Sequence, residues 1–289
     1  MKIDVRIVDT APCRNENATS IAAGAQSACA VSNGQLRCWG ANGSGQLGTG
    51  DLLLRTSATF AAQSDVLGVG RGAIHYCTVT ASGAAKCQGS NLRGKLGDGT
   101  TTDSSVAVPV VGAALVTAIS GGVGHTCLSR ADGTVQCVGS HQFGQLGDGS
   151  TVSTGAQSLV LVTVQGLTPT LRARSVAAGA KHTCALRGDG TVACWGDDQG
   201  LGVLGTGVLA PVTTAPAPIT VAGLDNITAI STSDSHTCAL RADGTVACWG
   251  RIRRRKPAMA IKACRRRRYS CPAFPTPSPS SPAGRTPAR

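Results

Sequence analysis

From about residue 20 to residue 250, short runs of alternating apolar and polar residues flank turns rich in glycine. "HTCALRGDGTVACWG" at 182 to 196 is representative. A period of two belongs to strands, and the turn glycine allows the positive φ that a tight hairpin needs. Five such hairpins can be aligned: "GAQSACAVSNGQLRCWG" (24 to 40), "GAIHYCTVTASGAAKCQG" (72 to 89), "GVGHTCLSRADGTVQCVG" (122 to 139), "GAKHTCALRGDGTVACWG" (179 to 196) and "SDSHTCALRADGTVACWG" (233 to 250). Their first cysteines stand at 29, 77, 127, 184 and 238, in steps of 48, 50, 57 and 54. Four hairpins are followed by a glycine-dense phrase: "GANGSGQLGTG" (40 to 50), "GSNLRGKLGDG" (89 to 99), "GSHQFGQLGDG" (139 to 149) and the longer "GDDQGLGVLGTG" (196 to 207). These read as structured loops, and the apolar pieces beyond them, such as 104 to 120 and 214 to 231, hold further strands. A period near fifty residues implies a solenoid, a propeller or an array, because each unit exposes apolar faces that only its neighbours cover.

The cysteines sharpen this picture. Ten of the thirteen fall in pairs, one pair per hairpin: Cys29 with Cys38, Cys77 with Cys87, Cys127 with Cys137, Cys184 with Cys194, and Cys238 with Cys248. In the last four hairpins a three-residue loop, such as Gly188-Asp189-Gly190, fits a type I turn closed by a glycine bulge. Counting outward from 187 and 191 sets Cys184 opposite Cys194. The first hairpin is one residue shorter but turns on Asn33-Gly34, the two-residue kind, so Cys29 again meets Cys38. Directly opposed residues at a non-hydrogen-bonded position approach to about 4.5–5.5 Å, within disulfide range. Oxidised pairs are expected, each worth about 2–3 kcal/mol, with buried free thiols as the alternative.

The combination of "GxxHTCAL…DGTVxCWG" with "GxxxxGQLGxG" resembles the repeat of the regulator of chromosome condensation, over roughly residues 20 to 250. The resemblance implies an all-β fold, a β-propeller with about fifty residues per blade; the family commonly has seven blades, whereas five hairpins are present here. It further implies that His75, His125, His182 and His236 are structural and bond neighbouring backbone. Ser27 takes that place in the first repeat, with nothing else there to replace the imidazole. The founding member implies a guanine-nucleotide exchange factor for a small GTPase, and β-lactamase inhibitory proteins with similar repeats suggest a secreted hydrolase inhibitor.

Other chemistry finds less support in the residues. Each of these histidines lies two positions before a cysteine, on the same strand face, so a zinc site per blade is conceivable but less expected than a structural role. Trp39, Trp195 and Trp249 point to the opposite face, where packing between blades is favoured over ligand stacking because Gln88 and Val138 stand at the same position elsewhere. Asp132, Asp189 and Asp243 are turn residues. No catalytic constellation, cofactor site or metal site is expected, and the chain reads as a protein-binding scaffold rather than an enzyme. Its presenting segments are the loops 41 to 50, 90 to 99, 140 to 149 and 197 to 207, with Asn42, Gln46, Asn91, Lys95, His141, Gln145, Asp197 and Asp198 as candidate contacts.

Composition agrees with β structure: among 289 residues 42% are apolar, only 3% aromatic, and 38 are glycine. The net charge of +12 is a property of the tail. Residues 1 to 250 hold 15 basic and 15 acidic side chains, and residues 251 to 289 hold 12 basic and none acidic. That Arg- and Pro-rich tail reads as disordered, either a nucleic-acid or acidic-membrane arm or the product of a frameshift after "CWG"; nucleic acid is a partner only if the tail is genuine. The expected organisation is an N-terminal segment at 1 to 20 that is a candidate for a partial strand of a blade, a propeller at 21 to 250 and the tail at 251 to 289. No apolar run reaches the length of a membrane-spanning helix. The charged start "MKIDVRIVDTAPC" is no export signal, whereas paired cysteines favour an extracytoplasmic or secreted protein, so a truncated or misassigned start is expected.

Overall fold

The computed structural model of the chain describes residues 18–150, 153–167, 171–207 and 214–251. These build five antiparallel sheets, each a meander in sequence order. The first comprises β1 (Ala18–Ala23), β2 (Ser27–Ser32), β3 (Gln35–Gly40) and β4 (Arg55–Phe60), and the second β5 (Val66–Arg71), β6 (His75–Thr80), β7 (Ala85–Gly89) and β8 (Ser104–Pro109). The third holds β9 (Val116–Gly121), β10 (His125–Arg130), β11 (Val135–Ser140) and β12 (Gln157–Thr163). The fourth holds β13 (Ala173–Ala178), β14 (His182–Arg187), β15 (Val192–Asp197) and β16 (Thr214–Thr220). The fifth has three strands among the described residues, β17 (Ile227–Thr232), β18 (His236–Arg241) and β19 (Val246–Gly250). A short 3-10 turn stands at Leu92–Gly94. β1 begins at Ala18, so the first blade reaches across residue 20 into the segment assigned above to the N-terminal region.

The turns form as their residues require. Asn33 and Gly34 have φ of 50° and 72°, the two positive values of a type I′ turn, and the three-residue loops close with Gly83, Gly133, Gly190 and Gly244 at 76° to 82°. With turn type and turn length matched, the register places Cys29↔Cys38, Cys77↔Cys87, Cys127↔Cys137, Cys184↔Cys194 and Cys238↔Cys248 as direct partners. All five pairs are disulfide-bonded, with Cα atoms 4.0–4.1 Å apart.

The first strands of successive sheets, β1, β5, β9, β13 and β17, are neighbours. Each hairpin turn is also laced to the blade that follows it. Val66 N donates to Gly34 O at 2.9 Å, Val116 N to Gly83 O at 2.9 Å, Ala173 N to Gly133 O at 3.0 Å and Ile227 N to Gly190 O at 3.0 Å. The apolar core divides accordingly into four clusters, one between each pair of consecutive blades, each combining a disulfide of one blade with residues of the next. Leu47, Leu96, Leu146 and Leu204, the leucines of the glycine-dense phrase, are wholly buried in these clusters. A blade thus cannot bury its own faces; its neighbours do so.

Candidate functional site

A small set of contacts recurs at the interfaces between blades, and it fixes what the rims can present. The histidine that opens the second strand reaches the next blade: Nε2 of His75 lies 2.8 Å from Thr126 Oγ1, Nε2 of His125 lies 2.8 Å from Thr183 Oγ1, and Nε2 of His182 lies 3.1 Å from Thr237 Oγ1. The partner is a threonine hydroxyl, not the backbone implied by the resemblance. Thr126 and Thr183 in turn donate to the carbonyls of Lys95 at 2.7 Å and Gln145 at 3.1 Å, so each hydroxyl accepts the imidazole N–H. The rings are fully buried, and Gly72, Gly122 and Gly179 lie against them so closely that a Cβ there would collide with a ring atom.

Burial, and secondarily the next histidine in the row, pushes the pKa of His125 down to about 3 and that of His182 to about 4. Burial likewise holds His75 well below its usual value, with Lys95 and His125 adding to the effect. The conceivable zinc set is consumed, since its thiolates form disulfides and its imidazoles bond threonine. His236 stands apart: it is exposed, and its Nδ1 lies 2.6 Å from the hydroxyl of Ser233, which replaces the repeat glycine.

The first repeat is compensated after all, from the neighbouring blade. Tyr76 occupies the threonine position of the second hairpin, donates to Ser27 O at 2.6 Å and accepts from Gly24 N at 2.9 Å. Its long phenol fills the space that a histidine at position 27 would take. The tryptophan position supplies a further contact. Trp195 Nε1 donates to Gln145 O at 3.0 Å and Trp249 Nε1 to Val203 O at 2.9 Å, both carbonyls in the loop of the preceding blade. Gln88 repeats that bond with an amide, its Nε2 donating to Gln46 O at 3.2 Å. Val138 fills the site without the bond, and Trp39, in the first blade, is only half-buried.

The glycine-dense loops are held from within. Asn42 accepts from Leu47 N at 2.8 Å and donates to Asp51 O at 2.8 Å; Asn91 accepts from Leu96 N at 2.8 Å and donates to Thr100 O at 3.1 Å. His141 Nε2 lies 2.6 Å from Ser150 Oγ, and Asp198 accepts from Leu204 N at 3.0 Å. Gln46 and Gln145 accept from Ser44 N at 3.0 Å and Phe143 N at 2.8 Å. Lys95 has no acceptor, so its Nζ crosses to Val123 O of the next blade at 3.2 Å, and burial lowers its pKa to about 8.

Asn42, Gln46, Asn91, Lys95, His141 and Gln145, expected above as partner contacts, are therefore buried side chains that shape the loops. Asp197 and Asp198 are half-buried. What the rim exposes lies between them, at the unspecified positions of "GxxxxGQLG": Leu92 is 69% exposed, Arg93, Gln142 and Phe143 are partly exposed, and Lys181 Nζ sits 4.1 Å from the centre of the Phe143 ring. Among the described residues no group of histidine, cysteine and carboxylate side chains is placed to hold a metal ion, and no helix is long and apolar enough to cross a membrane.

Side-by-side blades, each clasped at its hairpin and locked to the next by side chain and turn, define a five-bladed β-propeller. The profile of the "Regulator of chromosome condensation (RCC1) repeat" matches in four places, residues 18–46, 116–145, 173–199 and 227–251. The chain therefore carries RCC1 repeats in four places on a five-bladed β-propeller. Its fold is similar to yeast RCC1 (Prp20) solved bound to Kap60, with TM-score 0.71 and 19% identity, covering 82% of this chain and 56% of that one. The structure of Prp20p from Saccharomyces cerevisiae, described with its binding properties to Gsp1p and histones, gives 0.70, 20%, 81% and 58%, and human WBSCR16 gives 0.67, 21%, 80% and 61%. The chain thus spans about three fifths of the length of the solved structures it matches.

Proposed function

We propose that this propeller is a protein-binding scaffold, not an enzyme, acting in an oxidising, extracytoplasmic compartment through the loop rim. The observation that carries the binding surface is the division of labour within each loop. The repeated polar residues are turned inward as framework, which frees the intervening positions, Leu92, Arg93, Gln142 and Phe143, to vary and to face outward. An exposed apolar, aromatic and cationic set on a rigid frame suits a protein surface. The partners named for the yeast neighbours, Kap60, Gsp1p and histones, are proteins, in line with this class of partner without identifying it. Five disulfides carry the compartment, since such bonds persist where thiols are kept oxidised.

The test is affinity capture under non-reducing conditions with the wild-type chain, a Leu92→Ala/Phe143→Ala variant, and an Asp132→Asn/Asp189→Asn variant at the hairpin turns. Loss of a bound protein only in the first variant supports the rim; equal capture by all three rejects it. Acceleration of nucleotide release from a small GTPase would instead favour the exchange-factor reading.

A further inference from the structure

Four of the five hairpin disulfides are sealed inside the molecule. Their eight cysteines are at most 1% exposed. Three pairs have a next-blade hydroxyl against the sulfur: Cys77 to Thr126 at 3.9 Å, Cys127 to Thr183 at 3.8 Å and Cys184 to Thr237 at 3.8 Å. The Cys29 pair shares its core cluster with Tyr76, the residue at the matching position. The fifth pair is different. Cys238 and Cys248 are each half-buried, and both line a cleft of about 640 Å³ whose charged walls are Arg71, Arg251 and Asp234. His236, exposed where its three counterparts are buried, borders the same cleft.

We propose that the Cys238–Cys248 disulfide is a thiol–disulfide exchange site that takes a small-molecule dithiol from this cleft. The volume suits a small molecule. Exchange proceeds through a thiolate, and the two guanidiniums favour both the incoming and the leaving anion over the single carboxylate that opposes them. One thiolate of the dithiol attacks one sulfur of the pair; the S–S bond breaks, the other cysteine leaves as thiolate, and a mixed disulfide forms. The second thiolate of the same molecule then attacks its own sulfur in that mixed disulfide, closing a cyclic disulfide and releasing the second cysteine. Two electrons pass from the dithiol to the cystine, and the two dithiol protons end on Cys238 and Cys248. The sealed pairs do not react because no thiolate can reach their sulfurs without parting two blades.

The experiment uses the full chain with free thiols first blocked by N-ethylmaleimide. It is then treated with limiting dithiothreitol, quenched with iodoacetamide and mapped by peptide mass spectrometry. Cys238 and Cys248 are expected to be alkylated at least roughly tenfold faster than any other pair, as access governs exchange. A Cys238→Ser/Cys248→Ser variant is expected to lose that fast phase entirely, and Arg251→Glu, a change at an exposed residue, to slow it several-fold. Reduction of all five pairs at one rate, or of a sealed pair first, overturns the proposal; a fast phase that persists in the double serine variant does so as well.

Discussion

One imidazole carries different consequences depending on which blade holds it. His125 is enclosed by Gly122 and bonded to Thr183, whereas His236 sits in solvent beside Ser233. His125→Ala should therefore leave a cavity, take from Thr183 Oγ1 the N–H it accepts while its bond to Gln145 O remains, and lower unfolding free energy by about 2–4 kcal/mol. His236→Ala should stay within about 0.5 kcal/mol, and denaturant melts of the two variants check the contrast. The buried row also sets a pH dependence. In the unfolded chain these imidazoles take up a proton near pH 6.5, while in the folded protein His125 and His182 wait until about 3 and 4, and His75 is likewise held low. Stability from this source is complete above about pH 6.5 and is lost as the pH falls toward 4, at up to about 4 kcal/mol per pH unit for three sites. Melts from pH 7.5 to 4.5 should show that slope, and His125→Ala should reduce it by about a third. The sequence marks these histidines through their fixed place before each cysteine. It does not mark their partners, which are threonines some fifty residues further on that only blade stacking brings within reach.

At the scale of strands and hairpins, the exchange of Ser27 with Tyr76 for histidine with threonine is the clearest lesson. Two positions 49 residues apart change together, and the pair as a whole keeps the interface filled. Tyr76→Thr should remove the phenol and its bond to Ser27 O, which keeps the Gly24 N–H at 2.8 Å, and leave a cavity that costs about 2–3 kcal/mol. Adding Ser27→His should restore the common lock and recover most of that loss. A double-mutant cycle measures the coupling, and simple additivity of the two changes would refute it. The hairpins themselves are legible because turn chemistry and register act over a dozen residues. Asn33-Gly34 and Gly188-Asp189-Gly190 each specify a turn whose length brings the cysteines opposite one another. The loops are legible as loops only: a buried Asn42 and a partly exposed Gln142 look alike in sequence, because polarity does not reveal that the Asn42 amide is spent on Leu47 N and Asp51 O. The exposed positions carry a fainter signal, as the residues the repeat leaves unspecified.

Among the described residues five blades are joined through four packed interfaces, and the first and fifth blades differ in what covers them. The disulfide face of the fifth blade has no next blade against it among the described residues, which is why His236, Cys238, Leu240 and Arg241 of β18 are half-buried or exposed where their β14 counterparts are buried, and Trp39 is half-buried in the first blade. The tail assignment at 251 to 289 lies outside the described residues except for Arg251, so any nucleic-acid role for it stays an expectation of its charge alone. The architecture rests on clasped hairpins laid side by side, and non-reducing peptide mapping of the native protein tests that most directly. Five linkages are expected, each within one hairpin: Cys29 to Cys38, Cys77 to Cys87, Cys127 to Cys137, Cys184 to Cys194 and Cys238 to Cys248. Linkages between hairpins, or free thiols at these ten positions, would contradict it.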